Sequence, residues 1–148
     1  MSVFKPKISE TSNSIPFFLS PASAGFPSPA DDYMEVVLDL NKHLIPNPLA
    51  TFFVQAKGSS MQKNEQSLIS DGDLLIVDRS LEAKHKNIVI AIINGEFTVK
   101  RLNLSNNIPE LLADNPNYPK IALLEGTEFQ IWGVVTYVIH KCLKLKNI

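Results

Sequence analysis

Cysteine is nearly absent from this chain. Cys142 is the only one among 148 residues, so no internal disulfide and no CxxC metal site can form. A single unpaired thiol fits a reducing compartment. Histidine is almost as scarce: His43, His85 and His140 are scattered, with no HExxH or similar ligand spacing, so no metal or other cofactor is implied. Charge of one sign is missing too. Fourteen Lys and Arg stand against fifteen Asp and Glu, a net charge of -1 and a pI near 6.3. A domain that grips duplex phosphates alone carries a clear positive excess, so direct specific DNA binding is not expected. The longest aliphatic run, Ile88 to Ile93, is far too short to cross a bilayer. Met1 to Thr11 lacks the apolar core of a signal peptide. These absences predict a soluble, cytoplasmic protein with no membrane partner.

What is present is core-forming. Hydrophobic residues make up 45% and charged ones 20%, enough for one globular domain of ordinary size. Composition changes near residue 30. Residues 1–30 hold five of the ten prolines (Pro6, Pro16, Pro21, Pro27, Pro29), seven serines and three charges. Proline fixes φ and removes a donor, so this segment makes neither a long helix nor a central strand. It reads as an extended arm, 1–30, ahead of a domain over 31–148. Phe4, Ile8, Phe17, Phe18 and Phe26 make it apolar for a solvated linker, which predicts that it lies against its own domain or a partner subunit.

From Asp31 onward the pattern is β. Strands are predicted over Tyr33–Leu40, Thr51–Lys57, Asp73–Asp78, Asn87–Ile93, Glu96–Leu104, Ile121–Leu124 and Glu128–Ile139, with turn signals such as Asp71-Gly72 and Asn115-Pro116 between them. Short helical pieces are expected at Asn41–Ile45, around Ser60–Asn64 and at Glu110–Ala113. The sum is a mostly β, antiparallel, partly closed sheet system. Asn94-Gly95 suits a two-residue type I′ hairpin, which sets Ile93 against Glu96, Ala91 against Thr98 and Val89 against Lys100. Lys100 then shares a sheet face with Thr98 and Leu102, while Phe97, Val99 and Arg101 face the other way.

Two residues invite chemistry. Lys100 sits in an apolar strand, and Ser60 follows the turn-forming Gly58. An exposed lysine is neutral in only about one molecule in a thousand near pH 7.4. Desolvation between strands can bring its pKa to about 7 or 8, where it serves as a general base, at a cost on the order of 4 kcal/mol. A neutral amine beside a hydroxyl is a base beside a nucleophile. The backbone amides of Ser60 and Met61 are candidate oxyanion donors. Plainer readings stand beside these: Lys100 snorkelling to solvent at a strand edge, and Ser59 or Ser60 capping a short helix. Asp71, Asp73 and Asp78 read as a turn entering a strand rather than a metal site.

Four segments in order resemble the LexA-type family of self-cleaving Ser–Lys peptidases, and within it the accessory subunits of error-prone SOS polymerases. They are Ala-Gly-Phe-Pro-Ser-Pro at 24–29, Gly-Ser-Ser-Met at 58–61, Ile-Ser-Asp-Gly-Asp-Leu-Leu-Ile-Val-Asp at 69–78 and Gly-Glu-Phe-Thr-Val-Lys-Arg-Leu at 95–102. The resemblance runs from about Gly25 to Val138. By position it implies Ser60 as nucleophile, Lys100 as general base and Ala24–Gly25 as the bond cut. It further implies a homodimer, cleavage stimulated by the RecA–single-stranded DNA filament, and a processed form that partners the catalytic subunit of an error-prone, translesion DNA polymerase. One segment departs from the family's pattern: Gln62 to Leu68 is a long polar loop where a shorter, more acidic turn is usual.

Two rival functions share the same residues. A repressor of the LexA or phage type adds a DNA-binding head, and about 30 proline-rich residues cannot hold a helix-turn-helix. A catalytically silent module would bind the polymerase through its β surface with the Ser–Lys pair merely inherited.

Overall fold

The computed structural model describes residues 2–6, 16–18 and 35–143. The chain divides into two units, one of residues 1–6 with 47–148 and one of residues 7–46. Within the smaller unit, β2 (Pro16–Phe18) pairs antiparallel with β3 (Glu35–Val37), and a five-residue helix α1 (Leu40–Leu44) follows. Pro16 heads its strand, a position where a missing N–H costs little. The Asp39 side chain caps α1, accepting from the Asn41 N–H at 3.0 Å. Strand structure therefore ends at Val37, short of the expected Leu40, because the cap at Asp39 starts a helix there.

The larger unit is one eight-stranded antiparallel sheet in the order β1-β4-β5-β10-β6-β7-β8-β9. Its strands are β1 (Ser2–Phe4), β4 (Thr51–Gln55), β5 (Leu74–Asp78), β6 (Ile88–Ile93), β7 (Glu96–Asn103), β8 (Glu110–Leu112), β9 (Ile121–Ala122) and β10 (Phe129–Ile139). The mostly β, antiparallel expectation holds. β1 takes the edge beside β4, where the Lys5 Nζ donates to the Leu49 carbonyl at 2.8 Å and stands 4.3 Å over the Phe52 ring.

The β6–β7 hairpin forms in the expected register, Ile93 to Glu96, Ala91 to Thr98 and Val89 to Lys100. Asn94 and Gly95 both have positive φ, +48° and +82°, as a type I′ turn requires. Glu110–Leu112, expected to be helical, is instead a strand. It pairs with β7 through Leu102–Leu111 and Asn103–Glu110, and Leu111 is fully buried. Tertiary pairing outweighs the local helix preference of that run. Around Ser60 the chain turns without forming a helix.

The sheet is buried on both faces along β6 and β7. Ile88, Ile90 and Val99 join Val54, Leu75, Val77, Met61 and Ile69 in one cluster. Val89, Ala91 and Leu102 join Leu111, Leu123 and Val134 in a second. Alternate residues thus feed opposite cores, which explains why Ile88 to Ile93 reads as a continuous apolar run rather than an alternating one.

β10 lies between β5 and β6 and breaks register with each, between Val135 and Tyr137 and between Ile131 and Gly133. Gly133, beside the irregularity facing β6, lets β10 approach β5 closely on its other side. A Cβ there would meet Val77 Cγ1 at 2.6 Å and Arg79 Cγ at 3.3 Å. Val77 is a fully buried, stiff side chain with nowhere to move. Gly133→Ala is therefore expected to destabilise the domain by about 1–3 kcal/mol, read as a lowered urea midpoint with an unchanged m-value.

Candidate active site

Ser60 rides on a tight turn between β4 and β5. Gly58, at φ +87°, opens it, and the Gln62 N–H closes it on the Ser59 carbonyl at 3.0 Å. The Gly58 N–H donates to Asp71 Oδ1 at 2.7 Å. The Ala56 N–H bonds the Asp73 carbonyl, and the Gly72 N–H returns to the Ala56 carbonyl. Met61 is buried with 4% of its surface exposed, so the residue after the serine is nailed into the first core cluster.

Lys100 enters from β7. It is 7% exposed, with Val89 opposite it and Val99 and Leu102 buried nearby. Burial pushes its pKa below the ordinary lysine value. Its Nζ lies 3.1 Å from Ser60 Oγ, 2.7 Å from Thr98 Oγ1 and 3.1 Å from the Val99 carbonyl oxygen. Those partners suit a neutral amine in number as well as position. A carbonyl can only accept, so one N–H goes to Val99; the second goes to the Thr98 hydroxyl. The nitrogen lone pair is then left for the proton of Ser60. Arg101, the neighbour on the opposite face, is half-buried and forks onto Asp114 through bonds of 2.9 and 2.7 Å.

A pocket of about 190 Å³ opens beside the pair, lined by Ala56, Lys57, Gly58, Ser60, Thr98 and Val99 among others. The connection between β8 and β9 runs on the other side of the serine turn. Asn115 donates through Nδ2 to the Ser59 carbonyl at 3.0 Å and through its backbone N–H to the Ser60 carbonyl at 2.9 Å. Tyr118 Oη is 2.9 Å from Ser59 Oγ.

The structure brings Ser60, Met61 and Lys100 together, while Ala24 and Gly25 lie outside the described residues. Thr98 was visible from sequence only as a same-face neighbour two residues before Lys100. Asn115 and Tyr118 carried no signal beyond an Asn-Pro turn, since their contacts span more than fifty residues. The three aspartates have separate structural duties. Asp71 holds Gly58, and Asp73 pairs with His140 at 2.6 Å. At Asp78 burial alone would raise the carboxyl, but hydrogen bonds from Ser80 and Asn47 more than offset it and hold it below the usual value. Among the described residues no helix is long and apolar enough to cross a membrane.

Comparison with known proteins identifies the family. Residues 16–136 match the model of the Peptidase S24-like family. The chain is 44% identical over 138 residues to Protein MucA of Escherichia coli, covering 93% of this chain and 92% of MucA. It is 49% identical over 136 residues to Protein SamA of Salmonella typhimurium, covering 92% of each. The LexA repressor of Paracidovorax citrulli is 31% identical over 121 residues, which are 82% of this chain but 52% of the repressor. With the family model matched over most of the chain and these relatives aligned over most of their lengths, the chain belongs to the Peptidase S24-like family of serine peptidases.

Proposed function

We propose that the chain is a self-cleaving serine endopeptidase that cuts its own Ala24–Gly25 bond. Ser60 is the nucleophile, Lys100 the general base, and the Ser60 and Met61 N–H groups the oxyanion donors. The observation that carries this reading is the 3.1 Å approach of a buried, pKa-lowered Lys100 Nζ to Ser60 Oγ. No cofactor is called for.

The neutral amine takes the Ser60 proton as Oγ attacks the Ala24 carbonyl carbon, and the carbonyl oxygen becomes an oxyanion. Collapse breaks the C–N bond; the ammonium of Lys100 returns its proton to the departing Gly25 amine. The acyl ester on Ser60 is then hydrolysed by a water whose proton passes to Lys100, freeing the Ala24 carboxylate and regenerating the hydroxyl. Thr98 and the Val99 carbonyl keep the amine aimed throughout. Small residues on both sides of the bond suit a narrow cleft that admits an extended strand.

Affinity for the substrate matters little because the arm is tethered, at roughly millimolar effective concentration. Control therefore belongs to conformation. The RecA–single-stranded DNA filament stimulates cleavage by favouring the docked, deprotonated state and need supply no catalytic group. The protein works as a homodimer, and the form lacking residues 1–24 serves as accessory subunit to the catalytic subunit of an error-prone translesion polymerase in the SOS response. MucA and SamA, which align over 92% of their lengths, support this reading over a repressor role, since the LexA repressor aligns over 52% of its own.

Incubation of the purified protein at raised pH without RecA is expected to release a product beginning at Gly25. Its rate should climb as Lys100 loses its proton and then level off. Ser60→Ala and Lys100→Ala should each give no product while keeping the circular dichroism of the parent. Absence of cleavage across pH 7 to 11, followed by mass spectrometry, would remove the proposal.

Lys100 also makes stability depend on pH. Its folded-state pKa lies below the ordinary 10.5, so between those two values the unfolded chain binds more protons than the folded one. Unfolding free energy should therefore rise with pH across that window. Urea titrations from pH 7 to 10.5 should show a steeper rise for the parent than for Lys100→Met. Parallel curves would mean that the amine is not desolvated.

A further inference from the structure

We infer that Asn115 is the residue that aims the oxyanion donors, a role resting on the peptidase reading of Ser60 and Lys100. Its two hydrogen bonds fall on consecutive peptide planes. Nδ2 holds the Ser59 carbonyl at 3.0 Å, and the backbone N–H holds the Ser60 carbonyl at 2.9 Å. All peptide bonds of the described chain are trans, so within each plane the N–H points opposite to the C=O. Fixing the Ser59 carbonyl therefore fixes the direction of the Ser60 N–H. Fixing the Ser60 carbonyl does the same for the Met61 N–H. Both donors are thus turned away from Asn115, which is absent from the lining of the pocket that Gly58, Ser60 and Met61 share with Thr98 and Val99.

Asn115 is itself held in place. The Asn117 N–H donates to its Oδ1 at 2.9 Å, the preceding Asp114 is forked by Arg101, and the Asp114 N–H contacts Met61 Sδ at 3.5 Å. Arg101 follows Lys100 directly on β7. One strand thereby sets the general base on one face and, through Asp114, anchors the positioning residue from the other. Preorganised donors matter because an oxyanion hole gains its effect from dipoles that need not reorient during the reaction.

The decisive variant is Asn115→Asp. It keeps the shape and the acceptor for the Asn117 N–H, so the local turn survives, but it loses the donor to Ser59. Full-length protein should cleave about 10- to 100-fold more slowly, at or below the effect of removing an oxyanion donor outright. In the uncharged companion variant Asn115→Ala, which puts no carboxylate near the amine, the pH midpoint of cleavage set by Lys100 should stay where it is, which a collapse of the dyad would not allow. In parallel, 15N relaxation should show the Ser60 amide gaining motion, while the Met61 amide, fixed through the backbone bond of residue 115, stays ordered. A rate within about twofold of the parent, or a Ser60 amide as rigid as before, would overturn the inference. Should the unsubstituted chain fail to cut at all, the peptidase reading falls, while the relaxation measurement still decides whether the Asn115 side chain orders the Ser60 amide.

Discussion

Everything at the site depends on keeping one amine away from water. Lys100 sits where the two core clusters meet across β7, and the apolar residues around it supply no opposite charge that would favour the ammonium. What surrounds its Nζ is two neutral hydroxyls and one carbonyl. These satisfy an uncharged amine completely, so the neutral form loses no hydrogen bond on burial, whereas the charged form must give up its hydration for three neutral acceptors. Under the proposed function, the sheet does with desolvation what a His–Asp couple does with a carboxylate in Ser-His-Asp hydrolases.

The same constraint explains how a lysine on a strand comes to meet a serine on a loop. A strand fixes its side-chain direction by register, and the β6–β7 hairpin locks that register with a turn only Asn-Gly-type residues tolerate easily. The loop gains comparable precision by being pinned along its length: Gly58 to Asp71, Met61 in the core, and Ser59 and Ser60 to Asn115. Under the proposed function, regulation can then act on the arm alone, because the machinery it meets is already assembled.

How much of this was legible follows from the range of each interaction. The Asn94-Gly95 turn and the alternation of β7 are local or nearest-strand features, and the sequence pattern carries them directly; the burial of Lys100 is not, since a strand lysine can equally snorkel to solvent. Glu110–Leu112 misleads because Pro109 followed by Glu, Leu, Leu and Ala satisfies local helix rules. Only pairing with β7, and burial of Leu111, makes it a strand. Asn115 and Tyr118 were invisible for a related reason. A residue fifty-six positions from its hydrogen-bond partner leaves no periodic trace, and an Asn before a Pro already has a sufficient local explanation as a turn. The serine motif pointed to the residue that the proposed function makes the nucleophile, but not to what holds it.

The long polar loop after Met61 is accommodated for reasons visible in its own hydrogen bonds. Ser67 Oγ accepts from the Lys63 and Asn64 N–H groups at 2.7 and 2.9 Å, and Asn64 Oδ1 accepts from the Gln66 N–H at 2.9 Å. The excursion is therefore closed on itself, with serine and asparagine standing in for backbone acceptors. At its base the N–H of Asp71, the same residue whose carboxylate holds Gly58, donates to Gln62 Oε1. Extra length in such a loop adds little closure entropy, since that cost grows only with the logarithm of loop size. Because Met61 is buried on one side and Ile69 on the other, with both in the same core cluster, the loop's two ends are fixed independently of what lies between them. The nucleophile turn consequently takes its geometry from the sheet and from Asn115, and the loop can vary beside it without moving Ser60.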